Sequence, residues 1–277
     1  MAEIVAAMAA SHAPLITAAP ETAPEDRRAR VYAAMEELRA EIERAHPTAI
    51  VIASNEHFSN FFLDNFPPAC IGIGATHTGP VEAWLKVERG EVVGQPSLGR
   101  SILEQSFEDG LDLTFSEELF LDHGVMTILH FLDPGHAIPV VPIIQNCGVK
   151  PMPRLRRCYE LGRTIGRAVH RWDAAERVAL VGAGGLSHWV GVPHMGHINE
   201  AWDRRVLDLL AAGDAEAVMR MSDDEIEAAG NGAHEIRSWL VVAGAMEGRP
   251  ARVVGYEPIH AWATGMGQLT YDVSDGV

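Results

Sequence analysis

Short apolar runs alternate along the chain with longer segments in which apolar residues recur at helical spacing. Each short run is bounded by polar or turn-forming residues, which predicts buried strands at residues 4–9, 48–53, 69–73, 138–145 and 177–182. The longer segments predict amphipathic helices at residues 24–45, 98–108, 153–172, 200–212 and 232–246. Two closing strands are predicted at residues 251–256 and 267–273.

The order of these elements predicts the fold class. A helix joins the first two strands, and such a βαβ unit places its two strands parallel to one another. Repetition of this pattern favours an α/β protein, a three-layer α/β/α sandwich around a mostly parallel or mixed sheet. Since no internal repeat or Pro/Gly/Ser-rich linker marks a boundary, we expect a single domain over residues 1–277.

Composition narrows the classes of function. The chain carries 22 Lys and Arg against 38 Asp and Glu, a formal charge of −16, which disfavours nucleic acid and membrane surfaces as partners. Cys70, Cys147 and Cys158 form no C-x-x-C pair, and the apolar run at residues 4–10 has no Lys or Arg ahead of it. We therefore expect a cytoplasmic protein without disulfides. Thirteen histidines direct attention to metal or acid–base chemistry.

Histidines follow several of the predicted strands. His12, His57 and His188 each come within a few residues after the carboxyl end of a strand, and ligands of open α/β sheets bind outside those ends. A single loop histidine is more often bonded to a backbone carbonyl, but three repetitions of one placement favour a shared site. His123, after Asp122 in a turn before a helix, is a fourth candidate; alternatively, this turn is only a helix cap with Asp122 as the capping residue.

A mononuclear metal site also needs a carboxylate. Two imidazoles and one carboxylate form the facial triad that suits non-haem Fe(II) and leaves coordination positions open. Glu235, at the start of a predicted helix, is our choice, although an acidic residue in a first turn often only complements the helix dipole. Glu56 competes because it adjoins His57, but neighbours in an extended segment point in opposite directions.

Three well-known catalytic motifs are incomplete in this chain. His234-Glu235 does not extend to H-E-x-x-H because Ser238 stands where the second histidine belongs, so a zincin protease is not supported. The glycine run at residues 182–185 lacks the third glycine of the dinucleotide fingerprint, and Ser187 is not in G-x-S-x-G. No organic cofactor and no serine nucleophile are therefore predicted.

Six short motifs are spread along the chain. They are Ser11-His12-Ala13-Pro14, Asn55-Glu56-His57-Phe58, Asp122-His123-Gly124, Gly184-Gly185-Leu186-Ser187-His188, His234-Glu235-Ile236-x-x-Trp239 and Pro258-Ile259-x-x-Trp262-x-x-Gly265. Together they resemble the class III extradiol ring-cleaving dioxygenases, which include the protocatechuate 4,5-dioxygenase large subunit and the 2,3-dihydroxyphenylpropionate 1,2-dioxygenases. The resemblance covers nearly the whole chain, in the family's order.

The resemblance implies a reaction and a role for each candidate. A catecholic aromatic would be cleaved with O2 to a semialdehyde, with Fe(II) held by His12, His57 and Glu235. His123 and His188 would serve as the acid and the base, roles that suit imidazole with its unperturbed pKa of roughly 6.5. We expect Asp122 to fix one ring nitrogen of the adjacent His123, and the glycine pair at residues 184–185 to let substrate approach His188 closely.

The chain also departs from the family's pattern. Two-component members cover the site with a small helical partner, and this chain contains no such domain. Either a separate small subunit or neighbouring copies would then close the pocket, and we expect a homo-oligomer. The segment between Trp189 and Glu200 is short, and such connections help to build the substrate mouth, so the substrate stays open. The sequence identifies no residue as the receptor of a substrate carboxylate, which leaves protocatechuate, gallate, a dihydroxyphenylpropionate, a bicyclic catechol and a dihydroxypyridine as alternatives.

Two other functions stay open at this point. A zinc-dependent hydrolase could use the same donors, because imidazole and carboxylate also bind zinc. A non-catalytic binding protein of the same fold would usually have lost one of the five site residues, and all five are present.

Overall fold

The computed structural model describes residues 1–172 and 175–273, and it is built around an eight-stranded mixed sheet. The strands are β1 Glu3–Ala10, β2 Ala49–Asn55, β3 Ala69–Gly72, β4 Thr76–Gly79, β5 Gly90–Val93, β6 Thr114–Ser116, β7 Val140–Gln145, β8 Arg177–Ala183, β9 Ala251–Ile259 and β10 Thr264–Tyr271. The large sheet has the order β6-β3-β7-β2-β8-β1-β10-β9, and β4 pairs with β5 in a separate two-stranded sheet.

The four central strands of the sheet are parallel. β8 pairs in parallel with both β1 and β2, and β2 pairs in parallel with β7. β1 and β2 are thus parallel, as predicted, but β8 lies between them. β10 and β3 pair antiparallel with the outer members of this group, so the sheet is mixed.

The α-helices flank the sheet. They are α1 Leu15–Ala18, α2 Glu25–Ala45, α3 Pro96–Glu108, α4 His123–Leu132, α5 Leu155–Arg171, α6 Glu200–Ala211, α7 Ala215–Met219, α8 Asp223–Glu227 and α9 Ile236–Ala245. Short 3₁₀ helices cover Pro20–Thr22, Asn231–Glu235 and His260–Trp262. Among the described residues, no helix combines the length and the apolar character that a membrane span requires.

Two hydrophobic cores lie on opposite faces of the sheet. Residues of α2 and α4 form one of them, and residues of α3, α5, α6 and α9 form the other. Because both faces are covered, β2 is buried along its whole length, which explains why its residues 49–53 are a continuous apolar run rather than an alternating pattern. The predicted α/β/α sandwich around a mixed sheet is confirmed.

The last two strands, β9 and β10, extend further into the connection between them than the sequence pattern predicts. β9 continues to Ile259 and β10 begins at Thr264, and these two residues pair. Pro258 interrupts the apolar pattern, but β9 is an edge strand, where a residue without a backbone N–H is tolerated.

The predicted helix at residues 232–246 is in fact two elements. Its first turn is the 3₁₀ helix Asn231–Glu235, and α9 starts at Ile236. Glu235 therefore lies at the junction, with φ −67° and ψ −11°. The packing of α9 consequently determines where the Glu235 carboxylate is held.

Helices α5 and α9 approach each other at backbone distance. An added Cβ at Gly162 would lie 1.9 Å from the carbonyl oxygen of Val241, and one at Gly244 would lie 2.0 Å from that of Tyr159. Only glycine allows such an approach. At Gly166, one turn further along α5, an added Cβ would lie at an ordinary 3.5 Å from the carbonyl oxygen of Ala245.

We expect Gly162→Ala to lower the free energy of unfolding by about 1–3 kcal/mol, because the helices must separate to admit the methyl group. Gly166→Ala is the matched control; it should be neutral or raise that free energy by up to about 1 kcal/mol, because alanine favours the helix. Urea denaturation of both variants measures the difference. Equal effects of the two substitutions would contradict the close approach of α5 and α9.

Candidate metal centre

The carboxyl ends of three neighbouring parallel strands meet at one rim of the sheet. β1 ends at Ala10, β2 at Asn55 and β8 at Ala183, and the chain then leads into His12, His57 and His188, respectively. The structure brings these three imidazoles together, although they are far apart in sequence.

The carboxylate of Glu235 lies at the centre of this group. Its Oε2 is 3.2 Å from Nε2 of His12, and its Oε1 is 3.5 Å from Nε2 of His57 and 3.4 Å from Nε2 of His188. Oε1 also accepts a hydrogen bond from the Asn55 amide at 3.0 Å. With 4% of its surface exposed, Glu235 is a buried acid surrounded by nitrogen atoms.

His123 joins the same cluster as the first residue of α4. Its ring centroid is 4.0 Å from that of His57 and 5.6 Å from that of His12. All five residues singled out from the sequence therefore lie in one cluster.

The Asp122 carboxylate contacts both α4 and His57, and it also accepts a hydrogen bond from the Ser59 hydroxyl at 3.3 Å. One carboxylate oxygen accepts from the backbone N–H of Gly124 at 2.8 Å and caps α4, while the other is 2.9 Å from Nδ1 of His57. The cap foreseen as an alternative is thus present, but the expectation that Asp122 fixes a nitrogen of His123 is wrong. Asp122 instead holds His57 so that its Nε2 faces Glu235, the arrangement in which a carboxylate orients a metal-binding imidazole.

The imidazoles of His123 and His188 are also held through Nδ1. His123 Nδ1 lies 2.6 Å from Oε1 of Glu82, and His188 Nδ1 donates to the carbonyl oxygen of Leu186 at 2.9 Å. The sequence analysis did not find Glu82. It lies 41 residues before His123 in a segment without a regular pattern, and only the folded chain shows the contact.

Glu56 turns away from the cluster. Its carboxylate accepts from the backbone N–H groups of Ser59 and Asn60 and from the side-chain amide of Asn60. This follows the expected alternation of side chains in an extended segment. Glu56 therefore organises the loop after His57, and of the two acids compared in the sequence analysis it is Glu235 whose carboxylate lies among the imidazoles.

The glycines before and near His188 make room for the imidazole itself. An added Cβ at Gly185 would lie 2.3 Å from Cε1 of His188, and one at Gly232 would lie 2.1 Å from its Nε2. The expectation that the glycine pair at residues 184–185 lets substrate approach His188 is therefore corrected for Gly185. There the space is taken by His188 and by Oε2 of Glu235, 3.0 Å away.

A buried acid supports the segment that carries His188. Asp203 of α6 accepts from the backbone N–H and the hydroxyl of Ser187, at 2.7 and 2.8 Å, and from the Tyr256 hydroxyl at 2.7 Å. Burial raises the pKa of Asp203. These hydrogen bonds tie the end of β8 to α6 and β9 and so fix the backbone next to His188.

The electrostatics of the cluster depend on burial and on its two acids. Burial alone would raise the pKa of Glu235, but His188 and His12 outweigh it and bring that pKa well below the usual range. Burial lowers the pKa of His12. Burial also acts to lower the pKa of His57, yet Asp122 and Glu235 raise it well above the ordinary value. Burial would also raise the pKa of Asp122, but His57 outweighs it and lowers that pKa. The carboxylates of Glu235 and Asp122 are therefore ionised at neutral pH and stabilise positive charge at this site.

The donor atoms fit a divalent transition metal. Nitrogen atoms of His12, His57 and His123, one from each ring, lie within 4.8 Å of one another, and Glu235 lies near two of these rings. Among the described residues, Nδ1 of buried His12 has no hydrogen-bond partner. Two sets of three ligands thus share His12 and His57 and differ in the third, which is Glu235 or His123. The set with Glu235 combines nitrogen and oxygen donors, the set with His123 is all nitrogen, and such metals accept both.

Apolar side chains are exposed on the loops that follow β2, β4 and β8. The Trp84 ring centroid lies 6.2 Å from that of His123, and Val190 pairs with Asn231 through two hydrogen bonds, next to the turn that carries Glu235. The exposed apolar residues of these loops are Phe58, Phe62, Leu63, Val81, Trp84, Val190, Val192 and Met195. These side chains form an exposed apolar surface.

Comparisons with known proteins give the family context of this site. Residues 6–267 match the family model described as the catalytic LigB subunit of aromatic ring-opening dioxygenase. This match includes all five residues of the cluster.

Curated relatives align over almost the whole chain. A 2,3-dihydroxyphenylpropionate/2,3-dihydroxicinnamic acid 1,2-dioxygenase of Cupriavidus necator is 31% identical over 94% of this chain and 95% of its own length. One with the same name from a Rhodococcus species is 30% identical over 96% of this chain and 98% of its own length. Among solved structures, an uncharacterized protein of Escherichia coli K12 has a TM-score of 0.61 at 17% identity, over 87% of this chain and 92% of that chain; it supports the fold alone.

Substitution can separate two roles of Asp122, the capping of α4 and the contact with His57. Asp122→Ala removes the helix cap and the partner of His57, whereas Asp122→Ser keeps an oxygen that can cap α4. We expect Asp122→Ala to be less stable than Asp122→Ser by about 1 kcal/mol, and both to bind a divalent metal about 10- to 100-fold more weakly than the wild type. Urea denaturation and Co(II) titration of the metal-free proteins measure these effects. Wild-type affinity in Asp122→Ser would contradict the role of Asp122 in orienting His57.

Proposed function

Since the chain belongs to the family of the catalytic LigB subunit of aromatic ring-opening dioxygenases, and is thus a class III extradiol enzyme, we propose that it opens the ring of a catecholic substrate with O2 at a non-haem Fe(II) centre. Both oxygen atoms enter the product, an open-chain semialdehyde. The observation that carries the proposal is the buried carboxylate of Glu235 within 3.5 Å of three imidazole nitrogens.

His12, His57 and Glu235 are the proposed iron ligands. Two neutral imidazoles and one carboxylate form the facial set that suits Fe(II). Glu235 is favoured over His123 as the third ligand because its oxygens lie 3.2 Å from His12 and 3.5 Å from His57, and because an anionic ligand offsets the charge of the ion. When bound, Fe(II) supplies open coordination positions and exchanges electron density with the substrate and O2.

His188 and His123 are the proposed proton carriers. Each uses Nδ1 for a hydrogen bond to the protein, so Nε2 is the nitrogen available to the site. There, one ring would take a proton from a catechol hydroxyl, and the other would return one as the O–O bond breaks. The assignment of the two roles to the two rings stays open.

The names of the relatives suggest which substrates to try first. Relatives at about 30% identity are named for 2,3-dihydroxyphenylpropionate, so we propose catechols with a side chain next to the diol as the first class to test. The apolar loop residues, including Trp84 near His123, suit such an aromatic ring. The same exposed apolar side chains would also suit closure of the pocket by a second copy of the chain or by a small subunit.

The test is oxygen consumption by protein loaded with Fe(II) under anaerobic conditions and offered a panel of catechols. We expect one O2 to be consumed for each substrate molecule with the appearance of a yellow semialdehyde, and about a 10²-fold or greater loss of rate in His188→Ala and in His123→Ala. Zinc-loaded protein is the control for the hydrolase alternative. Full turnover with zinc and without iron would contradict the proposal.

A further inference from the structure

Glu82 is an acid at the cluster to which the reaction proposed above gives no role. It lies in the segment between β4 and β5, and its side chain is 15% exposed. On the basis of the proposed function, we infer that Glu82 is a positioning residue that fixes the orientation and the ring-nitrogen protonation pattern of His123, so that His123 Nε2 faces the substrate.

The hydrogen bonds of the Glu82 carboxylate to the described residues all involve His123. Its Oε1 lies 2.6 Å from Nδ1 of His123 and accepts from the His123 backbone N–H at 3.1 Å. Its other oxygen, Oε2, is buried and has no hydrogen-bond partner among the described residues. The carboxylate of Glu82 thus bridges the ring and the backbone N–H of His123.

The backbone of Glu82 is itself held in place. The preceding residue, Val81, donates its N–H to the carbonyl oxygen of Leu121 at 3.1 Å. The carbonyl oxygen of Glu82 accepts from the Arg89 guanidinium at 2.8 Å and from the backbone N–H of Leu85 at 3.2 Å. Leu85 is buried in the core that includes α4. A carboxylate on a segment fixed in this way can define the position of an imidazole.

The partner of His123 differs in kind from that of His188. An ionised carboxylate accepts a hydrogen bond but cannot donate one, so Glu82 requires a proton on Nδ1 of His123 and leaves Nε2 to face the site. His188 instead donates its Nδ1 proton to the neutral carbonyl oxygen of Leu186, while its Nε2 lies 3.4 Å from Oε1 of Glu235. The two proposed proton carriers therefore differ in their Nδ1 partner, which is a carboxylate for His123 and a backbone carbonyl for His188.

The same segment also brings an aromatic ring to the site. Trp84, two residues after Glu82, has its ring centroid 6.2 Å from that of His123 and is largely exposed. A substrate that packs against Trp84 would therefore meet a histidine positioned by the same loop.

Kinetics of three variants test the inference with iron-loaded protein. We expect Glu82→Ala to lower kcat about 10- to 100-fold with an unchanged iron content and a KM within about threefold of the wild type. Glu82→Gln keeps an acceptor oxygen and should recover part of the loss. Glu88→Gln, an exposed acid on the same segment, is the control and should behave as wild type. Unchanged kcat in Glu82→Ala, or a loss of iron, would overturn the inference.

A double variant separates action through His123 from a general structural effect. If Glu82 acts only by positioning this ring, Glu82→Ala should have no further effect on kcat in the His123→Ala background. Independent losses that multiply would contradict the inference.

The nitrogen-15 spectrum of the metal-free protein gives a readout that does not need activity. We expect Nδ1 of His123 to carry a proton in the wild type and to lose this preference in Glu82→Ala; an unchanged spectrum would overturn the inference. If wild-type protein cleaves no catechol, the proposed function fails, while the spectrum still decides the role of Glu82.

Discussion

The placement of one carboxylate, that of Glu235, among three imidazoles is the constraint on which the site depends. A buried carboxylate without partners is costly, and here the partners are Nε2 atoms of His12, His57 and His188 at 3.2–3.5 Å. Removal from water opposes ionisation of Glu235, but the neighbouring histidines outweigh that effect and lower its pKa. The protein therefore keeps a negative charge in its interior where a cation can be held.

Two separate parts of the fold position the histidines and Glu235. Parallel β1, β8 and β2 bring three histidines to one rim, while the close packing of α9 on α5 holds the turn that ends at Glu235. A second set of acids then orients the rings from outside the cluster: Asp122 holds His57, and Glu82 holds His123. The metal centre is thus part of the same packing that stabilises the sheet.

Much of this could be predicted from the sequence, because the carboxyl ends of parallel strands meet at one edge of a sheet. That rule was enough to group His12, His57 and His188. Glu235 was harder, because an acid in a first helical turn is equally explained by the helix dipole, and its choice gained support from the family resemblance. Glu82 could not be found, because its contact with His123 joins a segment without a regular pattern to a helix 41 residues away. The short strands β4, β5 and β6 were missed for a similar reason: with three or four residues each, they have too few positions for a hydrophobic period to show.

The iron content of three variants reconstituted under anaerobic conditions tests the central claim, that Glu235 rather than His123 completes the metal site with His12 and His57. Glu235→Gln keeps the shape of the side chain but removes the anionic ligand, so it should retain little iron. His123→Ala should retain iron close to the wild-type stoichiometry, as should Glu56→Gln, the control for loss of a buried acid beside His57. Iron lost in His123→Ala and kept in Glu235→Gln would contradict the account and assign the ligands to the three histidines.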